Sequence, residues 1–585
     1  MLLFGGIASR PHAVQSAVLS RGSLKETVLV NMKKLKTSSF LHEVLCADGP
    51  SFTTLDENMM ALRHANRIIT QKALNGISRR HASIAIISAE AHVAALKVDD
   101  PLLLRMQGFI DGKWVDADSG ATLEVLDKAT LQVIGTVPEM GRAETRRAIE
   151  SAAAAWHDWA ALTGKERGKV LRRWYELIVK HEMDLARIMT AECGKPLAES
   201  LGEIRYGSAF VEWFAEEAKR SYGEWIPPDR AKNHIVVIQQ PIGPVAAVTP
   251  WNFPSAMVTR KVSPALAVGC PVVIKPSELT PYSCLALVEL ANRAGMPQGI
   301  LSVVVGSAQS TPLIGDEMCT HPAVRKVAFT GSTAVGKLLA SKAASTVKKV
   351  ALELGGNAPL IVFDDADLDV AVKGAMAAKF RNAGQTCVCA NRIFVHEAVY
   401  ETFASKLTAA VSAMTIGFGT ANGVVIGPLV NARAVDKVHR HVSDAVSKDA
   451  RVLTGGTRLP ELGPGFYAPT VLADMTPNMA LFSEETFGPV AGLFKFSSEK
   501  EVIQLANDTP YGLAGYLFTK DLARAWRVSE ALEFGIIGVN EGIISSEVAP
   551  FGGVKESGLG REGSHHGTLE FCEPKYIRMG IDYKS

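Results

Sequence analysis

No apolar stretch of this 585-residue chain approaches the ~18 residues that a membrane-crossing helix needs, and no membrane partner is expected. Cysteine is sparse and unpatterned. Eight are scattered with neither the spacing of a disulfide framework nor that of a zinc site, which suits a reducing compartment. No metal is expected: the adjacent His565 and His566 point different ways, and no third ligand lies near them. Net charge is nearly absent, +2 overall, so nothing recommends nucleic acid as a partner. The core shows no internal repeat and no low-complexity tract. Also missing is the dinucleotide signature Gly-x-Gly-x-x-Gly. The closest approach to a triphosphate loop, Gly331-Ser-Thr-Ala-Val-Gly336-Lys337, fails because Leu338 stands where magnesium needs Ser or Thr. What is abundant is hydrophobic residue, 47 %, enough at this length for several large cores.

The small positive excess is unevenly placed. Eleven Lys or Arg precede Lys97 against six Asp or Glu, leaving 51 of the 62 basic and 54 of the 60 acidic residues for the rest. Up to Phe40 the chain holds Arg10, Arg21, Lys25, Lys33, Lys34 and Lys36 against one acid, Glu26, with serines between. That is the composition of an organelle transit peptide. Residues 1–96 therefore read as a transit peptide or disordered leader directing the protein to the mitochondrial matrix, with plastid or cytoplasm as alternatives.

Beyond the leader, apolar residues at three- and four-residue spacing predict long helices over 143–159 and 164–193, and a third over 208–219. Residues 235–240 read as a strand entered through the turn Pro227-Pro-Asp, a protruding hairpin. From 245 to 350 short apolar strands alternate with helices, the pattern of a doubly wound parallel sheet that binds dinucleotides at its strand ends. Residues 358–363 open a second α/β series that closes with 535–540.

Three groups could carry covalent acyl chemistry. Cys387, in Gly384-Gln-Thr-Cys, is a thiol on a Gly-started polar turn and a candidate nucleophile. Glu353, 34 positions earlier in Leu-Glu-Leu-Gly-Gly, is a carboxylate among apolar residues, a candidate base with a raised pKa. Asn252, in Pro250-Trp-Asn-Phe-Pro254, is an amide held between prolines and a candidate oxyanion donor. Singly, each has a plain structural reading as a small buried hydrophobe, a solvated acid and a turn. Cys389 adds a possible redox function: two residues from the nucleophile, it either closes a strained, easily reduced disulfide with Cys387 or packs pointing away.

Seven motifs taken in order resemble the aldehyde dehydrogenase superfamily, over a span from about Leu104 nearly to the C-terminus. They are Pro250-Trp-Asn-Phe-Pro254, Lys275-Pro-Ser-Glu278, Phe329-Thr-Gly-Ser-Thr-Ala-Val-Gly336, Leu352-Glu-Leu-Gly-Gly356, Gly384-Gln-Thr-Cys387, Glu484-Glu-Thr-Phe-Gly-Pro489 and Pro550-Phe-Gly-Gly553. Residues 379–392 and 540–545 look like those of succinate-semialdehyde dehydrogenases, nearest the plant mitochondrial type. The resemblance implies an aldehyde dehydrogenase-like α/β fold in three parts. Residues 97–222 and 243–355 form a Rossmann-type NAD-binding domain and 356–565 a second α/β catalytic domain. Residues 223–242 and 566–585 form a β-hairpin oligomerisation element. It further implies a homodimer or homotetramer, in which the hairpin and a last strand near 575–580 pair between subunits as exposed edges.

The resemblance also assigns roles. Cys387 attacks the aldehyde, Asn252 and a main-chain N–H hold the oxyanion, and Glu353 activates the hydrolytic water. Trp251, Lys275, Ser277, Glu278, Gly331, Ser332, Leu354, Glu485 and Phe487 are the cofactor contacts. Gly331 and Ser332 suit a pyrophosphate at a helix start. Glu278 favours NAD over NADP, because a carboxylate at the ribose repels a 2′-phosphate. Arg260, Arg381 and Ser545 match the positions that hold the far carboxylate of succinate semialdehyde. With no acid supplied by the motifs, two guanidiniums in one pocket should need an anion to complete them. Glutarate semialdehyde, or another ω-carboxy aldehyde, remains the nearest alternative, since one methylene changes binding by only ~1–3 kcal/mol. A non-catalytic binding protein on the same fold is the alternative of another class.

Overall fold

A short strand that is apolar on both faces can bury them only in a sheet covered by helices on each side. The computed structural model describes residues 96–581 and the backbone of Ile86–Ile87, and two such sheets dominate it. The first has eight strands in the order Gly558–Leu559, Lys349–Glu353, Lys326–Thr330, Val245–Val248, Val272–Lys275, Leu301–Val303, Gly108–Ile110 and Lys113–Val115. Its five inner strands are parallel and its edges antiparallel. The second has seven: Arg451–Thr454, Thr470–Met475, Val490–Phe496, Ala390–His396, Ala358–Val362, Ala514–Phe518 and Ile536–Val539, parallel except at the first. The predicted doubly wound sheet and second α/β series are both there. The two-residue strand Gly558–Leu559 returns from the second series to pair with Leu352 and Glu353; so short a strand leaves no periodicity to read.

Some boundaries move. The helix expected over 164–193 is two, Gly164–Lys180 and Glu182–Cys193, broken at His181 (φ −106°, ψ 19°). Neither Gly nor Pro marks that break, so the apolar spacing runs through it. The third helix is longer than expected, Leu197–Glu217. Helix Ala256–Val268 has its first turn fixed by a distant carboxylate: Glu203 accepts from the N–H groups of Ser255 (2.9 Å) and Ala256 (3.1 Å), as the positive end of a helix favours.

The third sheet corrects an expectation. Cys572–Gly580 and Asn233–Pro241 pair with each other inside one chain, antiparallel, with Lys575 opposite Ile238, and Glu224–Ile226 adds on the other side. The hairpin strand is thus central rather than an exposed edge, because the last strand is long enough to satisfy it along its whole length. Of the expected leader, Ile86–Ile87 pair in parallel with Ile416–Gly417; apart from these and residue 96, the leader lies outside the described residues, as do residues 582–585. No described helix is long and apolar enough to cross a membrane.

Arg392 shows how the second sheet is tied to its helices. Fully buried, it donates to the carbonyls of Asn357, Leu505 (2.9 Å) and Ala506 (2.8 Å), the last two at the C-terminal end of helix Glu499–Asn507. Burial pulls its pKa down to about 9. Replacing it leaves three buried carbonyls without donors, at ~1–3 kcal/mol each. We expect Arg392→Met to lower stability by at least ~3 kcal/mol in urea titration, and a loss under ~1 kcal/mol would show that the carbonyls find other donors.

Candidate active site

Loops at the carboxyl ends of the first sheet's parallel strands, where such folds place their ligands, meet the loops that enter strands Ala390–His396 and Val490–Phe496 of the second at a cleft of about 300 Å³. Its wall takes Trp251, Asn252, Gly331, Ser332 and Leu354 from the first sheet's loops, and Cys387, Glu485, Phe487 and Ser545 from the second's. Arg260 and Arg381 line it as well. Most of the residues singled out in the sequence thus converge.

The loop carrying the thiol is locally unfavourable and held from outside. Asn382, Ala383 and Gly384 are all left-handed (φ 52°, 53° and 75°), at ~1–2 kcal/mol for each residue with a side chain. Glu199 accepts from the Asn382 N–H (3.0 Å), and Gln385 Oε1 accepts from Val430 N–H (2.9 Å). At Gly384 a Cβ would stand 2.1 Å from the carbonyl oxygen of Gly488, so only glycine allows this close approach.

Asn252 is oriented through both ends. Its Nδ2 donates to the Gln385 carbonyl (3.0 Å), which leaves one hydrogen for the cleft. Its own carbonyl accepts from Lys195 Nζ and Asn382 Nδ2, each at 2.9 Å. Lys195 in turn is ion-paired with Glu203 and lies 4.1 Å from the Phe253 ring centre. Sequence reasoning missed Lys195, Glu203 and Asn382; only Lys195, isolated between Gly194 and Pro196, carried any local mark.

Burial pushes the Cys387 thiol up to about 12, although Arg260 pulls the other way. Glu353 is fully buried behind the cleft rather than on its wall. Burial, reinforced by Glu562, holds it well above the usual carboxylate range against Arg260 and Lys261, as its apolar flanks predicted. Its Oε2 has no hydrogen-bond partner. Cys387 therefore rests as the thiol.

The expectation that no acid meets the arginines is corrected. Glu562, from a Gly-Arg-Glu stretch that no motif flagged, bonds both Arg260 Nε and Lys261 Nζ. A buried guanidinium needs a counter-charge, and this one comes from 302 residues away. Arg260 is also stacked on Phe551 (4.1 Å) and reaches the Tyr206 hydroxyl (3.4 Å), yet its second terminal nitrogen, Nη2, has no partner. Arg381 is half-buried, lies 5.2 Å from the Phe253 centre, and makes no ion pair among the described residues.

Part of the cofactor set sits apart from this cleft. Lys275, Ser277 and Glu278 follow strand Val272–Lys275 outside the cleft wall, with Lys275 Nζ and Ser277 Oγ each 3.5 Å from Glu278. Between the two groups, helix Thr333–Ala344 begins with no side chain capping its N–H groups. Those free donors beside Gly331 and Ser332 fit a phosphate. Glu485 accepts from the Gly356 N–H (3.0 Å), and burial lifts it to about 7. Phe487 meets Trp251 edge-on, ring centres 5.6 Å apart. The residues present thus fit a dinucleotide.

Cys389 is buried and donates to the Lys379 carbonyl (3.0 Å); both it and Cys387 are free thiols. His565 pairs with Glu217 and His566 with Ser564, each at 3.1 Å.

Two α/β series whose loops bring a half-buried thiol and an uncapped helix start to one cleft have the architecture of a dinucleotide-dependent oxidoreductase. The chain belongs to the aldehyde dehydrogenase family, which it matches over residues 114–577. It is 56 % identical over 485 residues to the glutarate-semialdehyde dehydrogenase of Pseudomonas aeruginosa, covering 83 % of this chain and all of that one. With the mitochondrial succinate-semialdehyde dehydrogenase of Oryza sativa subsp. japonica it shares 54 % over 524 residues, 89 % of this chain and 99 % of the relative. A solved structure of an NADP-dependent enzyme of Escherichia coli superposes with a TM-score of 0.82 at 55 % identity, covering 83 % of this chain and all of that one.

With the Cys387 pKa about 12, only a trace of thiolate exists near neutrality. Alkylation of Cys387 by iodoacetamide, without cofactor, should rise about tenfold per pH unit from 7 to 10. A plateau below pH 9 would mean that the free protein already holds a thiolate.

Proposed function

We propose that this protein oxidises succinate semialdehyde to succinate, the last step of 4-aminobutyrate degradation, with NAD as cofactor. One observation carries the substrate class: a buried guanidinium, Arg260, with one unpaired N–H edge, in a cleft also lined by Arg381 and Ser545. An unsatisfied buried charged donor is costly; a carboxylate tail would complete it.

Trp251, Gly331, Ser332, Leu354, Glu485 and Phe487 would hold NAD(P), which when bound supplies the hydride acceptor. Cys387, having lost its thiol proton to solvent, attacks the aldehyde carbon as the thiolate, and the remaining Asn252 amide hydrogen with the Cys387 N–H takes the oxyanion. After oxidation the sulfur carries the acid as a thioester. Glu353, its pKa raised by burial, activates the water that hydrolyses it. Two expectations separate these roles. Cys387→Ala should abolish turnover while cofactor still binds. Glu353→Gln should retain a burst of NADH with slow deacylation behind it, and steady turnover without a burst would assign Glu353 to the attack step.

Glutarate semialdehyde is the second reading, supported by the name of the Pseudomonas relative. Glu278 supports NAD, while the similar Escherichia coli structure is of an NADP-dependent enzyme; KM for both cofactors with both aldehydes decides both points. The basic leader and the rice relative support the mitochondrial matrix. The outer edges of the three-stranded sheet, with Tyr222 and Trp225 exposed beside it, support a homo-oligomer, which a sedimenting monomer would rule out.

Arg260→Ala and Arg381→Ala should each lower kcat/KM for succinate semialdehyde ten- to a hundredfold, from the loss of ~1.5–3 kcal/mol per charged contact, while nearly sparing butanal. Equal losses on both aldehydes would make the arginines structural and remove the substrate assignment, leaving the family untouched.

A further inference from the structure

We propose that His441 is a positioning residue for the cofactor: it fixes the turn Glu484–Phe487, whose Glu485 and Phe487 line the cleft. The inference rests on the cofactor reading above.

His441 lies on helix Ala432–Ser447, which also sends Ala434 and Lys437 to the cleft wall. The helix's other buried positions are Val435, Val438, Val442 and Ala445. At a purely packing position an aliphatic side chain would serve, because a buried imidazole is unfavourable unless both nitrogens are satisfied. Here both are. Nδ1 is 3.1 Å from Thr486 Oγ1 and Nε2 is 3.1 Å from Glu484 Oε2, with the ring fully buried.

Burial favours the neutral ring, so one nitrogen donates and the other accepts. Facing a carboxylate, Nε2 carries the hydrogen, which leaves Nδ1 to accept from the Thr486 hydroxyl. The imidazole thus grips the residues on either side of Glu485. Arg440 holds Glu484 from outside at 3.2 Å, and Gly356 N–H holds Glu485 itself.

The grip has something to oppose. Phe487, next in the turn, is left-handed (φ 56°). A bulky residue stays in that region only where its surroundings over-determine it. Nothing else in the function proposed above uses His441, and no motif flagged it.

The test uses the whole protein and reads binding apart from turnover. His441→Ala should weaken NADH, measured by calorimetry, at least tenfold. Iodoacetamide labelling of Cys387 without cofactor, and KM for the aldehyde, should stay within twofold of wild type. His441→Asn, which retains an acceptor for Thr486, and His441→Gln, which retains a donor for Glu484, should each recover part of the affinity. A merely structural histidine would show no such recovery. Wild-type NADH affinity in folded His441→Ala overturns the proposal, as does an equal change in thiol labelling and NADH binding. If His441→Ala does not fold, Thr486→Val decides by the same numbers. A wild-type protein that binds neither NADH nor NADPH overturns the cofactor reading and this proposal together; loss confined to the variants' expected pattern leaves both standing.

Discussion

Glu562 is the carboxylate on which the site depends. It lies buried between Arg260 and Lys261, adjacent cations of one helix. Burial works against its charge, yet the two cations hold its pKa below the usual range. Removing one partner of such a set strands the others, at ~3–5 kcal/mol. The chain around it is fixed accordingly: Phe551 and Glu562 exchange main-chain hydrogen bonds at 2.7 Å, and the Phe551 ring covers Arg260. The C-terminal segment is thereby closed over the cleft by charge as much as by apolar contact. Glu353 feels the same carboxylate, which adds to burial in raising its pKa.

A second constraint is backbone strain in loops near the cleft, although left-handed residues also occur elsewhere, as at Asp111 and Asp449. Left-handed residues with side chains occur at 382 and 383 before the thiol, at Phe487 in the opposite wall, and at Asn540 five residues before Ser545. Each is unfavourable alone and persists because tertiary contacts fix it. The contacts come from elsewhere in the chain: Glu199 for Asn382, His441 on either side of Glu485, and Thr519, whose N–H donates to Asn540 Oδ1 (3.0 Å). At the cleft, these strained loops carry lining or adjacent groups, and helices carry two of the residues that hold them.

That division explains what could be read from sequence. Cys387, Asn252, Glu485 and Gly331 stand at strand ends inside short stretches rich in Gly and Pro, so local composition marks them, and the strand–helix alternation marks the sheets. Apart from Lys195, set between Gly194 and Pro196, their supports leave no such mark. Glu203, Glu562 and His441 read locally as ordinary helix or loop residues, and each acquires its role from a partner tens to hundreds of residues away. The break at His181 was hidden because two helices with continuous apolar spacing look like one. The last strand's partner was hidden because alternation shows that a strand exists without naming its neighbour.

The two arginines illustrate how such supports shape recognition. Arg260 is held by a carboxylate at Nε, an aromatic face at Phe551 and a hydroxyl at Tyr206, so its Nη2 edge points one way only. Arg381 is half-buried over a single ring and makes no ion pair among the described residues. In the proposed pose, a tail carboxylate would meet one donor held on three sides and one held on fewer. The held donor would set where the charge sits relative to Cys387, at little ordering cost on binding. A tail one methylene longer would change binding by only ~1–3 kcal/mol. In that reading, charge would be discriminated more sharply than length.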